Sequence, residues 1–139
     1  MSTVSAHTFL HVGIPANDLA ESKQFYMDVL GLKVTKESTG NYGNAPVRLH
    51  CGDGGGVAGQ QVVLFKRPRP IDRDAIAEDG DAHHAFVVSV EEFDAALVKF
   101  KELGIFHRGP IVWPTSTHRT LYFFDPAGNY LQLADDVED

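Results

Sequence analysis

The sequence predicts an α+β fold made of two βαβββ units in tandem. The prediction rests on a repeat of histidine, helix cap, apolar helix face and glycine stop, on strand-like alternation around each helix, and on two turn-rich joints. Residues 9–34 read FLHVGIPANDLAESKQFYMDVLGLKV, and residues 81–106 read DAHHAFVVSVEEFDAALVKFKELGIF. With His11 aligned on His83, a helix-capping residue type follows six positions later in both copies, Asn17 and Ser89. Such side chains accept hydrogen bonds from the orphan N–H groups of a first helical turn. Ser89 is followed three residues on by Glu92, the spacing of a capping box. The expected modules are residues 8–66 and 82–134, joined by a linker over 67–81 within a single domain of 139 residues.

The first strand is read from Leu10, Val12 and Ile14 alternating with Phe9, His11 and Gly13, which gives one apolar face and one face carrying the histidine. A helix follows, with Leu19, Phe25, Tyr26, Val29 and Leu30 at helical spacing and a stop at Gly31. Three strands are then expected over Leu32–Thr39, Ala45–Cys51 and Gln60–Lys66, with a glycine-rich hairpin loop over Gly52–Gly59. That loop lacks the Lys-Ser/Thr ending of a phosphate loop and precedes a strand, so it is not read as one.

The segment Arg67–Asp81 is rich in proline and charge, which marks it as the linker. The second copy repeats the order. Its helix carries Phe93, Ala96, Leu97, Phe100 and Leu103 and stops at Gly104. Strands are expected over Ile105–Trp113, Arg119–Phe124 and Asn129–Ala134, the last two joined by the turn Asp125-Pro126-Ala127-Gly128.

Charge and composition narrow the function. Lys plus Arg number 12 and Asp plus Glu 19, a formal charge of −7. That removes the electrostatic basis for unspecific nucleic-acid or anionic-membrane binding. No apolar run reaches the roughly 18 residues of a membrane span, and the N-terminal residues show no secretory pattern. The expectation is a cytoplasmic globular protein. Cys51 is the single cysteine, which excludes an internal disulfide and a multi-cysteine metal site.

The runs HVGIPANDLAESKQFYMDVLGL, HHAFVVSVEEFDAALVKFKELGI and LYFFDPAGNYLQL resemble the vicinal oxygen chelate superfamily, which includes glyoxalase I, bleomycin-resistance proteins, fosfomycin-resistance enzymes and extradiol dioxygenases. The resemblance spans nearly the whole chain. It implies two half-barrels with metal ligands on their concave faces, a histidine on the first strand of a unit and a carboxylate on its last. Carried over residue by residue, it points to His11, His83 and Gln132 as metal ligands, with Gln132 where the superfamily usually has Glu. The fourth position is Val63, which has no donor atom, so the four-ligand set of glyoxalase I is incomplete.

The metal implied is a divalent ion, Zn, Mn, Fe, Ni or Co, since two imidazoles and an amide do not select one. Two readings stay open. One is a metalloenzyme chelating vicinal oxygens of its substrate in lyase, isomerase or ring-cleavage chemistry. The other is a metal-free binding protein of the bleomycin-resistance type. Tyr122, His118 and Arg119 are the candidate catalytic residues: Leu121-Tyr122 fits part of the ring-cleavage signature, His118 offers an acid/base imidazole, and Arg119 a fixed positive charge. His84 should face away from His83, and a register slip of one residue would exchange them. The resemblance also implies a homodimer, with each site built within or across chains.

Overall fold

The computed structural model describes residues 4–36, 46–52, 60–69 and 82–135. The chain divides into two compact units, Met1–Pro70 and Ile71–Asp139. Each unit is one βαβββ motif, and the two have the same topology.

The first unit contains β1 (His11–Ala16), α1 (Leu19–Asp28), β2 (Lys33–Lys36), β3 (Val47–His50) and β4 (Gln61–Lys66), in a sheet ordered β1-β4-β3-β2. The second contains β5 (His84–Val87), α2 (Val90–Leu103), β6 (His107–Ile111), β7 (Thr120–Phe124) and β8 (Tyr130–Ala134), ordered β5-β8-β7-β6. In each, the strand before the helix runs parallel to the last strand, and the other pairings are antiparallel. A parallel pair needs a crossover connection, which the helix begins and the next two strands complete. The α+β repeat predicted from the sequence is therefore the observed fold.

One face of each sheet is the core. In the first unit Ile14, Ala16, Leu49, Val62 and Leu64 are buried, together with Tyr26 and Ser22 from α1. In the second, Leu121, Phe123, Leu131 and Leu133 are buried with Phe93 and Phe100 of α2. Phe100 meets Phe123 edge-on at 4.8 Å between ring centroids, which fixes odd-numbered β7 and β8 residues toward the helix. Leu10 and Leu103, read from the sequence as apolar-face residues, are 64% and 59% exposed. Both lie at element ends, where the periodic pattern outruns the packed surface.

The helix ends separate what local chemistry decides from what tertiary contacts decide. Ser89 caps α2, and its hydroxyl accepts from the Glu92 N–H while the Glu92 carboxylate accepts from the Ser89 N–H. Gly104 closes that helix in the left-handed region at φ 68°. At α1 the expected cap is displaced by one residue. Asp18 accepts from Glu21 N–H, and Asn17 instead donates through Nδ2 to the Arg67 and Arg69 carbonyls. Asn17 is claimed by the chain leaving β4, which leaves the adjacent carboxylate to cap the helix. Helix α1 also ends at Asp28, short of Gly31, which takes the left-handed φ of 69° two residues after the C-cap.

The strands are shorter than the sequence reading. Of the expected Leu32–Thr39 and Ala45–Cys51, residues 37–45 lie outside the described residues, as do most of the Gly52–Gly59 loop and residues 70–81 of the linker. Strand β6 is irregular between Arg108 and Ile111. Gly109 there has φ 125°, and a Cβ on it would lie 2.6 Å from the Thr120 carbonyl oxygen. Only glycine fits that approach. No helix of the described residues is long and apolar enough to cross a membrane.

Ser89→Ala removes the α2 cap and is expected to cost about 1 kcal/mol, a fall of a few degrees in Tm for a domain of this size. Glu92 is held below its ordinary pKa of 4.5 chiefly by the Ser89 hydrogen bonds. Its folded pKa is depressed, so its contribution is present at neutral pH and fades as pH falls through the folded value. Thermal melts at pH 7 and pH 3 should show the Ser89→Ala deficit shrinking in acid. A deficit that grows in acid would reject the reciprocal cap.

Candidate functional site

The sheet faces opposite the helices carry the candidate chemistry, and alternation decides what stands on them. In the second unit, β8 places Tyr130, Gln132 and Ala134 on that face. Register sets Gln132 beside Ala85 of β5 and Tyr122 of β7. His83 immediately precedes β5 and shares the face of Ala85. Its ring stands edge-on to Tyr122 at 5.8 Å and to Tyr130 at 6.1 Å. The two tyrosines are themselves stacked at 5.3 Å, and Phe124 lies 5.2 Å from Tyr130. The result is an aromatic shelf with one imidazole and one carboxamide on it. Tyr122, Tyr130 and Gln132 are all buried to nine-tenths or more.

His84 is on the other side of the strand, opposite Leu131. Burial lowers its pKa, the neighbouring His83 lowers it further, and Asp125 opposes both. Beside it, Asp125 organises the β7–β8 turn. Its carboxylate accepts from the Ala127 and Asn129 N–H groups and from Asn129 Nδ2, at 2.7–2.9 Å. That fixes the hairpin register, and register is what brings Tyr122 next to Gln132.

In the first unit the same face carries His11, Gly13 and Pro15 from β1 beside Gln61, Val63 and Phe65 from β4. Phe65 leans over Gly13, 3.2 Å from where a Cβ would sit, and its ring lies 6.5 Å from that of His11. Val63 is 1% exposed. The position matching Gln132 is thus apolar, and an aromatic ring stands beside the histidine.

Of the remaining candidates, Arg119 is placed elsewhere. Arg119 precedes β7 and reaches toward α2, not toward the shelf. Its Nε donates to Asp135 at 2.6 Å, a second guanidinium nitrogen to Asp94 at 2.9 Å, and its carbon lies 4.3 Å from the centre of the Phe93 ring. Its backbone N–H also donates to Asp135 at 2.7 Å. The side chain read as a substrate-binding charge is therefore compensated by two carboxylates, and it ties the sheet to the start of α2. Sequence spacing gave no sign of this, because Asp94 and Asp135 lie 25 and 16 residues away. His118 sits in the bend before Arg119, half-buried and outside the strand that carries Tyr122. Burial pushes the Cys51 thiol pKa up, which suits a packed side chain and not a nucleophile.

Among the described residues no group of three or more His, Cys, Asp and Glu is positioned to hold a metal ion. Two imidazole nitrogens and a carboxamide oxygen are donors that divalent ions accept, so His11, His83 and Gln132 fit such an ion in kind. Val63 adds nothing to it.

Comparison with known proteins places the chain in context. The model of the Glyoxalase/Bleomycin resistance protein/Dioxygenase superfamily matches residues 8–133. The uncharacterized protein YaeR of Escherichia coli (strain K12) is 34% identical over 129 residues, covering 88% of this chain and 92% of that protein. A glyoxalase/dioxygenase from Nostoc punctiforme is 26% identical with a TM-score of 0.73, and 99% of each chain is covered. A lactoylglutathione lyase from Agrobacterium tumefaciens is 25% identical with a TM-score of 0.65, over 97% of this chain and 96% of that one.

Proposed function

The chain belongs to the glyoxalase/bleomycin resistance protein/dioxygenase superfamily, and from that premise we propose that it is a small-molecule enzyme using a divalent metal held by His11, His83 and Gln132. The observation that carries the reading is the aromatic shelf of the second unit. There His83 and Gln132 occupy one sheet face, each against Tyr122 or Tyr130. Bound there, the ion would act as a Lewis acid toward two neighbouring oxygens of a substrate.

The chain's own groups define what such a substrate meets. None of the three ligand side chains carries a negative charge, so a substrate oxygen is favoured in its anionic form. The Gln132 amide keeps its NH₂ group as a donor when its carbonyl oxygen is engaged. The Tyr122 hydroxyl is a second donor on the same face, and both side chains are buried. Lyase, isomerase and ring-cleavage reactions share this oxyanion requirement. His118 remains the acid/base candidate in this reading, while Arg119 contributes through its hold on α2.

A metal-free binding protein is the second reading, and a particular observation favours it. Val63 and Phe65 put two apolar side chains on the first unit's sheet face beside His11. The two readings separate by metal analysis of protein produced in medium supplemented with Zn, Mn, Fe, Co and Ni. Near one ion per chain, lost to a chelator and restored by titration, is expected. Metal only at stray levels would reject the enzyme reading and leave the binding protein.

We also propose a two-fold homodimer acting in the cytoplasm. The described sheets end in strands β1 and β2, and β5 and β6, and exposed sheet edges are normally covered. Light scattering at micromolar concentration should give twice the 15.2 kDa chain mass. A monomer would contradict it.

A further inference from the structure

Register lays two parallel rows of side chains across the sheet of the second unit, on the face opposite α2. One row is Ala85 of β5, Gln132 of β8, Tyr122 of β7 and Arg108 of β6, each paired with the next. The other runs from His83 through Tyr130 and Phe124 to Phe106, its neighbours joined by ring contacts. Phe106 immediately precedes β6, and its ring stacks on that of Phe124 at 6.4 Å. His107, between Phe106 and Arg108, turns the other way, with its ring 6.0 Å from that of Phe100 in α2. That alternation fixes Phe106 and Arg108 on the face of the shelf.

The two ends of this face differ in kind. An imidazole and a carboxamide, His83 and Gln132, stand at one end. Arg108 stands at the other, and no other Lys, Arg, Asp or Glu occurs in β5–β8. Arg108 is exposed and Phe106 beside it is 72% exposed, whereas Tyr122 between the two ends is buried. An open aromatic ring next to a fixed cation suits a molecule with an apolar body and an anionic end. Arg119 differs in direction, since it turns to the α2 side and is held by Asp94 and Asp135. Arg108 has an interaction of its own in the protein, and the five N–H donors of a guanidinium leave room for a further partner. Two strand spacings, about 10 Å, separate the backbones of Gln132 and Arg108. The reach of an arginine side chain shortens that gap to the length of a small molecule.

We propose that Arg108 is the specificity determinant of this site and that the substrate is an acid, with a carboxylate or phosphonate group at the end remote from the oxygens offered to the metal. The proposal rests on the metal reading for the His83 and Gln132 end of the molecule, and on Arg108 alone for the other. The planar fork of Arg108 takes the oxyanion group in two hydrogen bonds. The body of the molecule crosses Tyr122 and lies against Phe106. A cationic tail at that point is repelled. The net charge of −7 on its own would suit a cationic ligand, but the single strand charge on this face selects the opposite sign.

The probes are benzohydroxamate, which offers two neighbouring oxygens, and its para-carboxy and para-phosphono derivatives. Each is titrated by calorimetry into cobalt-loaded protein at constant ionic strength. At least one anionic probe should bind about tenfold more tightly than benzohydroxamate, and the tighter of the two identifies the anion. Arg108→Met should cut that preference to within about threefold, and Arg108→Lys should keep part of it. Lys101→Met on α2 should leave it whole, and neither Arg108 variant should change cobalt affinity. The tighter probe should also shift the NMR signal of the Arg108 Nε–H in the unaltered protein, a readout that needs no variant to fold. No preference for either anionic probe, a preference that survives Arg108→Met, or an unmoved Arg108 signal at saturation overturns the proposal. Equal loss in Arg108→Met and Lys101→Met overturns it too, because that is general electrostatics. If the protein takes up no cobalt, the metal reading fails by itself. The same preference, measured in chelator-treated protein, then decides on Arg108.

Discussion

Gln132→Glu is expected to tighten divalent-metal binding by about tenfold or more. The two side chains have nearly equal volume, so the shelf against Tyr122 and Ala85 should accept the change without repacking. What changes is charge. A unit charge about 4 Å from another is worth about 4 kcal/mol at an effective dielectric of about 20. Burying a carboxylate at a position 9% exposed takes back a large part of that. A remainder of only about 1.4 kcal/mol already gives the factor of ten. The same desolvation should lower the Tm of the metal-free variant, and metal should then raise it by more than it raises the wild type. Isothermal titration with Zn²⁺ or Mn²⁺, beside melts with and without metal, measures both effects. Equal affinity for the two proteins would remove position 132 from the ligand set, and two histidines alone would not sustain a metal site.

The fold was legible because the repeat is written in local chemistry. Ser89, Glu92 and Gly104 carry out at α2 what their residue types dictate, within a few residues of one another. Asn17 shows where that logic stops. Its amide is claimed by the Arg67 and Arg69 carbonyls, fifty positions away, and no local pattern announces it. The candidate site divides in the same way. Alternation alone puts His83, Tyr130 and Gln132 on one face, since period two is enforced by the strand itself. The fate of Arg119 depended on Asp94 and Asp135, so it required the tertiary structure. Phe65 over Gly13 is of this kind too: a glycine in a strand signals a close approach but not by what.

The exchange of His83 and His84 gives the other large effect, because neighbouring residues on a strand serve opposite faces. His83→Ala should reduce metal affinity by at least a hundredfold, as it removes one of two imidazole donors from a set that has no charged ligand. His11→Ala should do the same. His84→Ala should leave metal binding within about threefold and lower stability instead, since His84 is half-buried on the helix side beside Leu131. Removing His83 also strips the edge contacts on Tyr122 and Tyr130, so some loss of stability is expected there as well. Stability therefore does not discriminate between the two variants, but metal affinity does. Cobalt(II) absorption titrations read the coordination directly and need no substrate. Strong cobalt binding that survives His83→Ala but is lost in His84→Ala would mean that the strand presents its histidines in the opposite register to the one observed. Binding retained in both would place any metal away from this shelf. Loss confined to His83→Ala and His11→Ala is the outcome expected of a metal held at the first strand of each repeat, which is where the sequence writes its two matching histidines.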